Sequence, residues 1–409
     1  MLAGRRVAGQ PDIVTAVGTS LTPDQLRAAR GHALLLGRPR NWPGNPGRAV
    51  AGVAAHLGGL QAQAAPPARL AVRPRAAGLT AADVDRAGAD RDVTRTWAMR
   101  GTLHLVATAD VRWMTGLFGP VSARKDRRRR LQLGLSDELC QRALTALASI
   151  LATSPPLTRA ELISGLAVAG IEIDSRTQQP PHLLGYAAAR GLICRGPDRP
   201  GDEPSYTLLD DWAPDAPGLS RDDALAELAR RYLGGYGPAG RPDFGTWSGL
   251  PAADTRRAWE LIAAEIIRVT AAGAELAALA GAPLSGAPLT GAPPTGAPPT
   301  GATLQAAALA PRLLGHFDPL LMGYQDRALI LDPAHARSIQ AGGGFIQPTV
   351  LAGGRVAGTW RLNRGPGRAR LVVEPFTALA AATRDALAAE ATDVGRYLGT
   401  DVTFEVAPS

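Results

Sequence analysis

The chain is almost without lysine: of its 44 basic residues only one, Lys125, is not an arginine. Chemistry through a lysine Schiff base would therefore rest on a single side-chain amine. Cysteine is nearly as scarce. Cys140 and Cys194 lack the paired spacing of a zinc ribbon, an iron–sulfur cluster or a disulfide framework, so no metal or other cofactor is expected. Long apolar runs are missing too. No stretch approaches the roughly 18 uncharged apolar residues of a membrane helix, and the opening "MLAGRRVAGQPDIVTAVGTS" has no continuous apolar segment of the kind that directs export. The expectation is a cytoplasmic protein without membrane association.

What is present describes a globular protein with a basic surface. With 409 residues, 45% apolar and 20% charged, the chain can bury a sizeable core in two to four modules. A net charge of +8 and a pI near 10.2 favour an anionic partner, nucleic acid first. The 47 glycines and 34 prolines that accompany the arginines suggest a GC-rich coding bias, so part of the basic excess is compositional.

Residues 1–20 read as a flexible extension, and helical periodicity begins at "LTPDQLRAARGHALLLG", with Thr22 as the N-cap. A first module, 21–118, contains short helices followed by a hairpin, "VTRTWAMRGTLHLVA", turning near Arg100 and Gly101. Helices followed by a wing-like strand pair recur at 119–212 and, more weakly, at 213–272. The reading is three tandem winged-helix modules, mainly α with β wings, in the α+β class. Four repeats of the Gly-Ala-Pro type from Gly281 to Thr300 mark a disordered insertion at 273–304. Residues 305–409 read as a β-rich C-terminal α/β domain.

Most motifs have bland alternatives. "GYGPAG", Gly235–Gly240, fits a dinucleotide-binding glycine pattern, but a helix precedes it and the context fails. "RKDRRRR" places Arg124, Lys125, Arg127, Arg128, Arg129 and Arg130 in one cationic run, either a solvated helix face or a set of phosphate contacts. Arg100 and His104 in the hairpin are further candidates for contact with DNA, His104 competing with a role packed on the sheet. Asp318, Asp326 and Arg327 could support a reacting sugar, or merely pair and cap turns.

The stretch "GLQAQAAPPARL" poses the sharpest question. Gln61 and Gln63 would diverge by about 200° on a helix but share one side of an extended segment. Gly58, Gly59, Pro66 and Pro67 bracket them with helix breakers, which favours the extended corner. A glutamine amide orients water but takes no proton at neutral pH. That suffices where the leaving group is already good, as in a purine made cationic by alkylation at N7.

"LQAQ", "RTWAMRGTLHLV", "LLGHFDPLLMGYQDR" and "GRVAGTWR", in this order, resemble the winged-helix DNA glycosylases of the azinomycin-resistance, AlkZ-like family. The resemblance runs from about residue 20 to the C-terminal helix. It implies a monomer gripping double-stranded DNA within the nucleoid and excising bulky N7-alkylated purines, in repair or in self-resistance to a genotoxic natural product. It assigns Gln63 to positioning the hydrolytic water and Gln61 to supporting the sugar-phosphate or that water. The proline-rich insertion and Gly315-His316 depart from the family pattern. A non-catalytic winged-helix regulator is the competing reading, but it has no need of Gln61-Ala62-Gln63 between helix breakers.

Overall fold

The computed structural model of the chain describes residues 19–282, 284, 309–340, 342, 344–365 and 367–408. Residues 1–18 of the expected extension and nearly all of the Gly281–Thr300 repeat lie outside the described residues. Strand β1 (Thr19–Leu21) leads into helix α1 (Pro23–Ala33). Thr22 caps this helix in a reciprocal box with Gln25. Asn45 caps α2 (Pro46–His56), after which Gly58 (φ 64°) and Gly59 (φ 112°) swing the chain into β2 (Leu60–Gln61). A Cβ on Gly59 would stand 3.1 Å from Met99 and 3.2 Å from Val106, so a side chain here would crowd the sheet. Next come α3 (Ala65–Val72), opening on two prolines, and α4 (Ala81–Ala89). The hairpin of β3 (Val93–Trp97) and β4 (Leu103–Ala107) turns through Met99–Gly101.

Helix α5 (Val111–Gln132) runs unbroken past residues 118 and 119, where the sequence suggests that one module gives way to the next. Pro120 forfeits one helical hydrogen bond, but packing holds the helix on both sides of it. Trp113, Met114, Leu117 and Phe118 are buried, and Gly119 lies so close to the Ala189 backbone that a Cβ would collide with it. Beyond it come α6 (Asp137–Ala152), β5 (Leu157–Thr158), α7 (Arg159–Val168), α8 (Gln179–Ala189), β6 (Ile193–Arg195), β7 (Ser205–Leu208) and the short α9 (Leu209–Trp212). A third set is α10 (Arg221–Tyr236), α11 (Arg241–Ser248), α12 (Ala252–Leu261), β8 (Ile266–Ala271) and β9 (Ala274–Leu279). "GYGPAG" is the turn between α10 and α11. The segment 274–279, expected to open the disordered insertion, is instead strand β9, paired antiparallel with β8 around Ala272 and Gly273.

The remainder comprises β10 (Arg312–Leu314), α13 (Pro319–Met322), α14 (Ala336–Ile339), β11 (Thr349–Ala352), β12 (Arg355–Gly365), β13 (Arg368–Pro375), α15 (Ala381–Leu398) and β14 (Asp401–Val406). The sequence pattern ends the fold on helix α15, yet β14 returns parallel to β13. These strands form one sheet in the order β10-β11-β12-β13-β14. A second sheet, β2-β4-β3-β6-β7-β5, joins two hairpins through the single pair Arg95 and Arg195. A third, β1-β8-β9, ties the N-terminal strand to the hairpin of the third set. The chain is thus a mixture of α and β, and among the described residues no helix is long and apolar enough to cross a membrane.

Packing follows the same division. One large core takes side chains from α2 to α5, α10, α11 and the segment around 314–356. A separate core lies within α6, α7 and α8. An ion pair lies within the large core. Arg75 and Asp318 are both fully buried, with Nη2 to Oδ1 at 2.8 Å and Nη1 to Oδ2 at 2.9 Å. The remaining guanidinium donors reach the carbonyls of Leu34 and Ala71, and the carboxylate also accepts from Leu320 N–H at the start of α13. A buried charge is tolerated when paired and saturated in this way. Asp318→Ala would strand the guanidinium, and should cost about 3–5 kcal/mol of stability in urea unfolding. A loss within experimental error would show that solvent reaches Arg75.

Candidate active site

Both glutamines occupy a non-helical corner. Gln61 ends β2 and lies opposite His104 of β4, while Ala62, which is buried, donates its N–H to the Leu103 carbonyl at 2.8 Å. Ala64 remains extended (φ −130°, ψ 155°) before α3 begins. Gln61 is half-buried and Gln63 is exposed. Gln61 Oε1 accepts from Arg100 Nη2 at 3.0 Å, whereas Gln63 Oε1 is held by a longer contact, 3.4 Å, from Leu103 N–H. A carbonyl oxygen has two lone pairs, so each amide keeps an acceptor, and among the described residues neither NH2 group has a protein partner. The corner therefore presents one firmly anchored amide and one loosely held amide.

Arg100 is the anchor. It takes a left-handed conformation at the hairpin tip (φ 56°), and its Nη1 donates to the Trp247 carbonyl in α11. The C-terminus of α11 reaches this tip because Gly249 has no side chain: a Cβ there would stand 2.9 Å from Arg100 Cα. Burial lowers the Arg100 pKa, and the nearby Arg327 charge works in the same direction. Arg327 is itself lowered by burial, and its Nε is buried without a hydrogen-bond partner among the described residues. Two guanidiniums thus share this region without a carboxylate partner for either among the described residues. Such a field attracts an anion.

His104, expected to touch DNA, is instead 2% exposed, with Nδ1 at 2.9 Å from the Thr102 carbonyl. Burial, with Arg100 beside it, pushes its pKa down to about 3. The imidazole is neutral at physiological pH and inaccessible to a phosphate. Asp318 is likewise consumed, by Arg75, and so is not free to face a sugar. Asp326 is exposed and caps a turn by accepting from Ala328 N–H at 2.8 Å; it forms no ion pair with Arg327 among the described residues.

The cationic run lies on the second half of α5 and is not uniform. Arg124, Lys125 and Arg128 are exposed and close together at helical spacing. Arg127 is bonded to Asp137, and Arg129 donates to Gln178 at 2.7 Å. Arg130 departs from the expectation of a phosphate contact. It is 2% exposed, with its guanidinium 3.8 Å from the Tyr186 ring centroid and Nη1 against Cys140. Its place in the helical period turns it inward while its neighbours face out. Sequence reasoning missed Trp247, whose contribution is a backbone carbonyl and leaves no side-chain signal, and Gly249, which acts by having no side chain.

The match to known proteins covers most of the chain. Residues 54–397 match the family described as DNA glycosylase AlkZ-like. An interstrand DNA cross-link repair glycosylase of Streptomyces sahachiroi is 28% identical over 365 residues, which span 85% of this chain and 90% of that protein. The solved structure of Streptomyces sahachiroi DNA glycosylase AlkZ is similar with a TM-score of 0.77 at 26% identity, covering 95% of this chain and 100% of that one. With the family match spanning well over half of its length, the chain belongs to the AlkZ-like DNA glycosylases, hydrolases of N-glycosyl bonds.

Proposed function

We propose that this enzyme is a monofunctional glycosylase that hydrolyses the N-glycosidic bond of bulky N7-alkylated purines in double-stranded DNA, including purines joined in interstrand crosslinks. The reading includes a monomer built on three winged-helix modules and a role in repair or self-resistance. The observation that carries it is the pairing of an anchored with a loosely held amide at one non-helical corner, beside uncompensated guanidinium charge. In this reading the phosphodiester next to the lesion is drawn towards Arg100 and Arg327. It offsets their charge and leaves the sugar facing the corner.

N7 alkylation gives the purine a positive charge, so the base departs as a neutral molecule and needs little acid assistance. What remains is to place water against an oxocarbenium-like sugar and to stabilise that cation. Gln63, exposed and only weakly held, accepts a hydrogen bond from the attacking water. Gln61, fixed by Arg100, supports the sugar-phosphate through its NH2 group. No lysine stands beside the corner in the sequence, which favours direct hydrolysis over a Schiff base.

Single-turnover excision from a duplex with one N7-methylguanine tests this arrangement. Gln63→Ala should slow base release by about two to three orders of magnitude, or roughly 2–4 kcal/mol, with damaged-DNA affinity kept within a few-fold. Gln61→Ala should cost less, and Gln63→Asp should keep part of the rate. Wild-type release by a folded Gln63→Ala protein would favour a non-catalytic DNA-binding role.

The pH profile separates His104 from the chemistry. Because its folded pKa lies near 3, the imidazole keeps one protonation state across the neutral range. The excision rate should show no histidine limb around pH 6.5. A sigmoidal loss there that His104→Asn abolishes would place His104 in proton transfer.

Binding should weaken as salt rises. Converting Arg124 and Arg128 to Gln should reduce the steepness of log K against log salt by about 0.9 for each phosphate that is no longer neutralised. An unchanged slope would make the exposed half of α5 a solvated face.

A further inference from the structure

A cavity of about 390 Å³ adjoins Arg100, the same arginine that bonds Gln61. Arg100 forms part of its wall, with Trp97 at the end of β3, Phe118 and Lys125 on α5, and Gly185 and Tyr186 on α8. Its size falls within the range of small-molecule sites. We propose that this cavity receives an aromatic appendage carried on N7 of the target purine, and that it sets the preference of the enzyme among adducts. The proposal rests on the glycosylase reading given above.

Three observations point to an aromatic group. The walls supply the rings of Trp97, Phe118 and Tyr186, which gain by stacking or edge contact with another ring. Tyr186 is held in place by the Arg130 guanidinium, 3.8 Å from its ring centroid, so that part of the wall is built before any ligand arrives. Lys125 and Arg100 add cationic groups at the cavity, suited to the electron-rich face of a ring.

The placement points to the appendage and not to the base. Water must meet the sugar at the glutamine corner, so the base stays near Gln63, while the cavity, whose walls include Arg100 but neither glutamine, adjoins that corner. A substituent on N7 projects away from the glycosidic bond and extends past the base. Gly185 keeps the space open: a Cβ built there meets nothing nearer than Trp97 Nε1, at 3.8 Å. A larger side chain at this helical position would fill the cavity and leave the surrounding packing in place.

The test compares single-turnover release of N7-methylguanine and N7-benzylguanine from otherwise identical duplexes, each rate divided by that duplex's spontaneous depurination. The wild type should favour the benzyl adduct by about tenfold or more, a discrimination typical of a filled apolar pocket. Gly185→Leu should abolish that preference while methylguanine release stays within about twofold of wild type. Equal handling of the two adducts by the wild type would overturn the proposal, as would an undiminished preference in Gly185→Leu. Should Gly185→Leu lose methylguanine release as well, Trp97→Leu decides: loss of the benzyl preference with methyl release intact supports the cavity, and its retention refutes it. Failure of the wild type to release either base would instead refute the glycosylase reading.

Discussion

The first amide of the glutamine corner depends on the hydrogen bonds of Arg100. One guanidinium joins the tip of a β-hairpin, the side chain of Gln61 and the backbone of α11, three elements that are distant in sequence. The tip accepts a left-handed arginine only because the surrounding structure fixes it there, and Gly249 allows the helix end to close against it. Without this anchor Gln61 would be one more mobile polar side chain at a strand end. With it, the first amide is a fixed reference from which the second is displaced by two residues, across the bend that follows β2.

Charge is arranged on the same principle of partial satisfaction. Several interior arginines are paired: Arg75 with Asp318, Arg73 with Glu390 and Asp393, Arg231 with Asp110. Near the corner, Arg100 and Arg327 have no carboxylate partner among the described residues. Leaving charge uncompensated in a partly desolvated place costs stability, and the cost is recovered when an anion arrives. A phosphodiester is the anion that a glycosylase meets. In the proposed reading the same field would oppose a cationic sugar if no phosphate were bound, which couples binding of intact DNA to progress of the reaction.

Much of this was legible in the chain. Gly58-Gly59 before the glutamines and Pro66-Pro67 after them signalled the non-helical corner, because glycine admits positive φ and proline cannot continue a helix. Thr22 marked a helix start as an N-cap ahead of the helical periodicity, and the hairpin turned where Arg100-Gly101 placed it. What escaped was decided by tertiary contact. Helix α5 runs through the expected module boundary at residues 118 and 119, since burial of Trp113, Met114, Leu117 and Phe118 holds it there. Arg130 looked like its neighbours in a basic run, although helical phase turns it into a core. Asp318 and Arg75 are separated by 243 residues, and no local pattern announces such a pair. The strand after α15 escaped because a short alternating tail carries little signal until a sheet edge is there to receive it.

The central claim is direct hydrolysis by positioned water, with no covalent intermediate between enzyme and DNA. It is tested most directly by running excision on an N7-methylguanine duplex in the presence of sodium borohydride, which would fix any imine between protein and sugar. Free methylguanine should be released, an alkali-labile abasic strand should accumulate, and no protein should remain attached to DNA under denaturing conditions. A stable protein–DNA conjugate formed at a rate matching base release would contradict it.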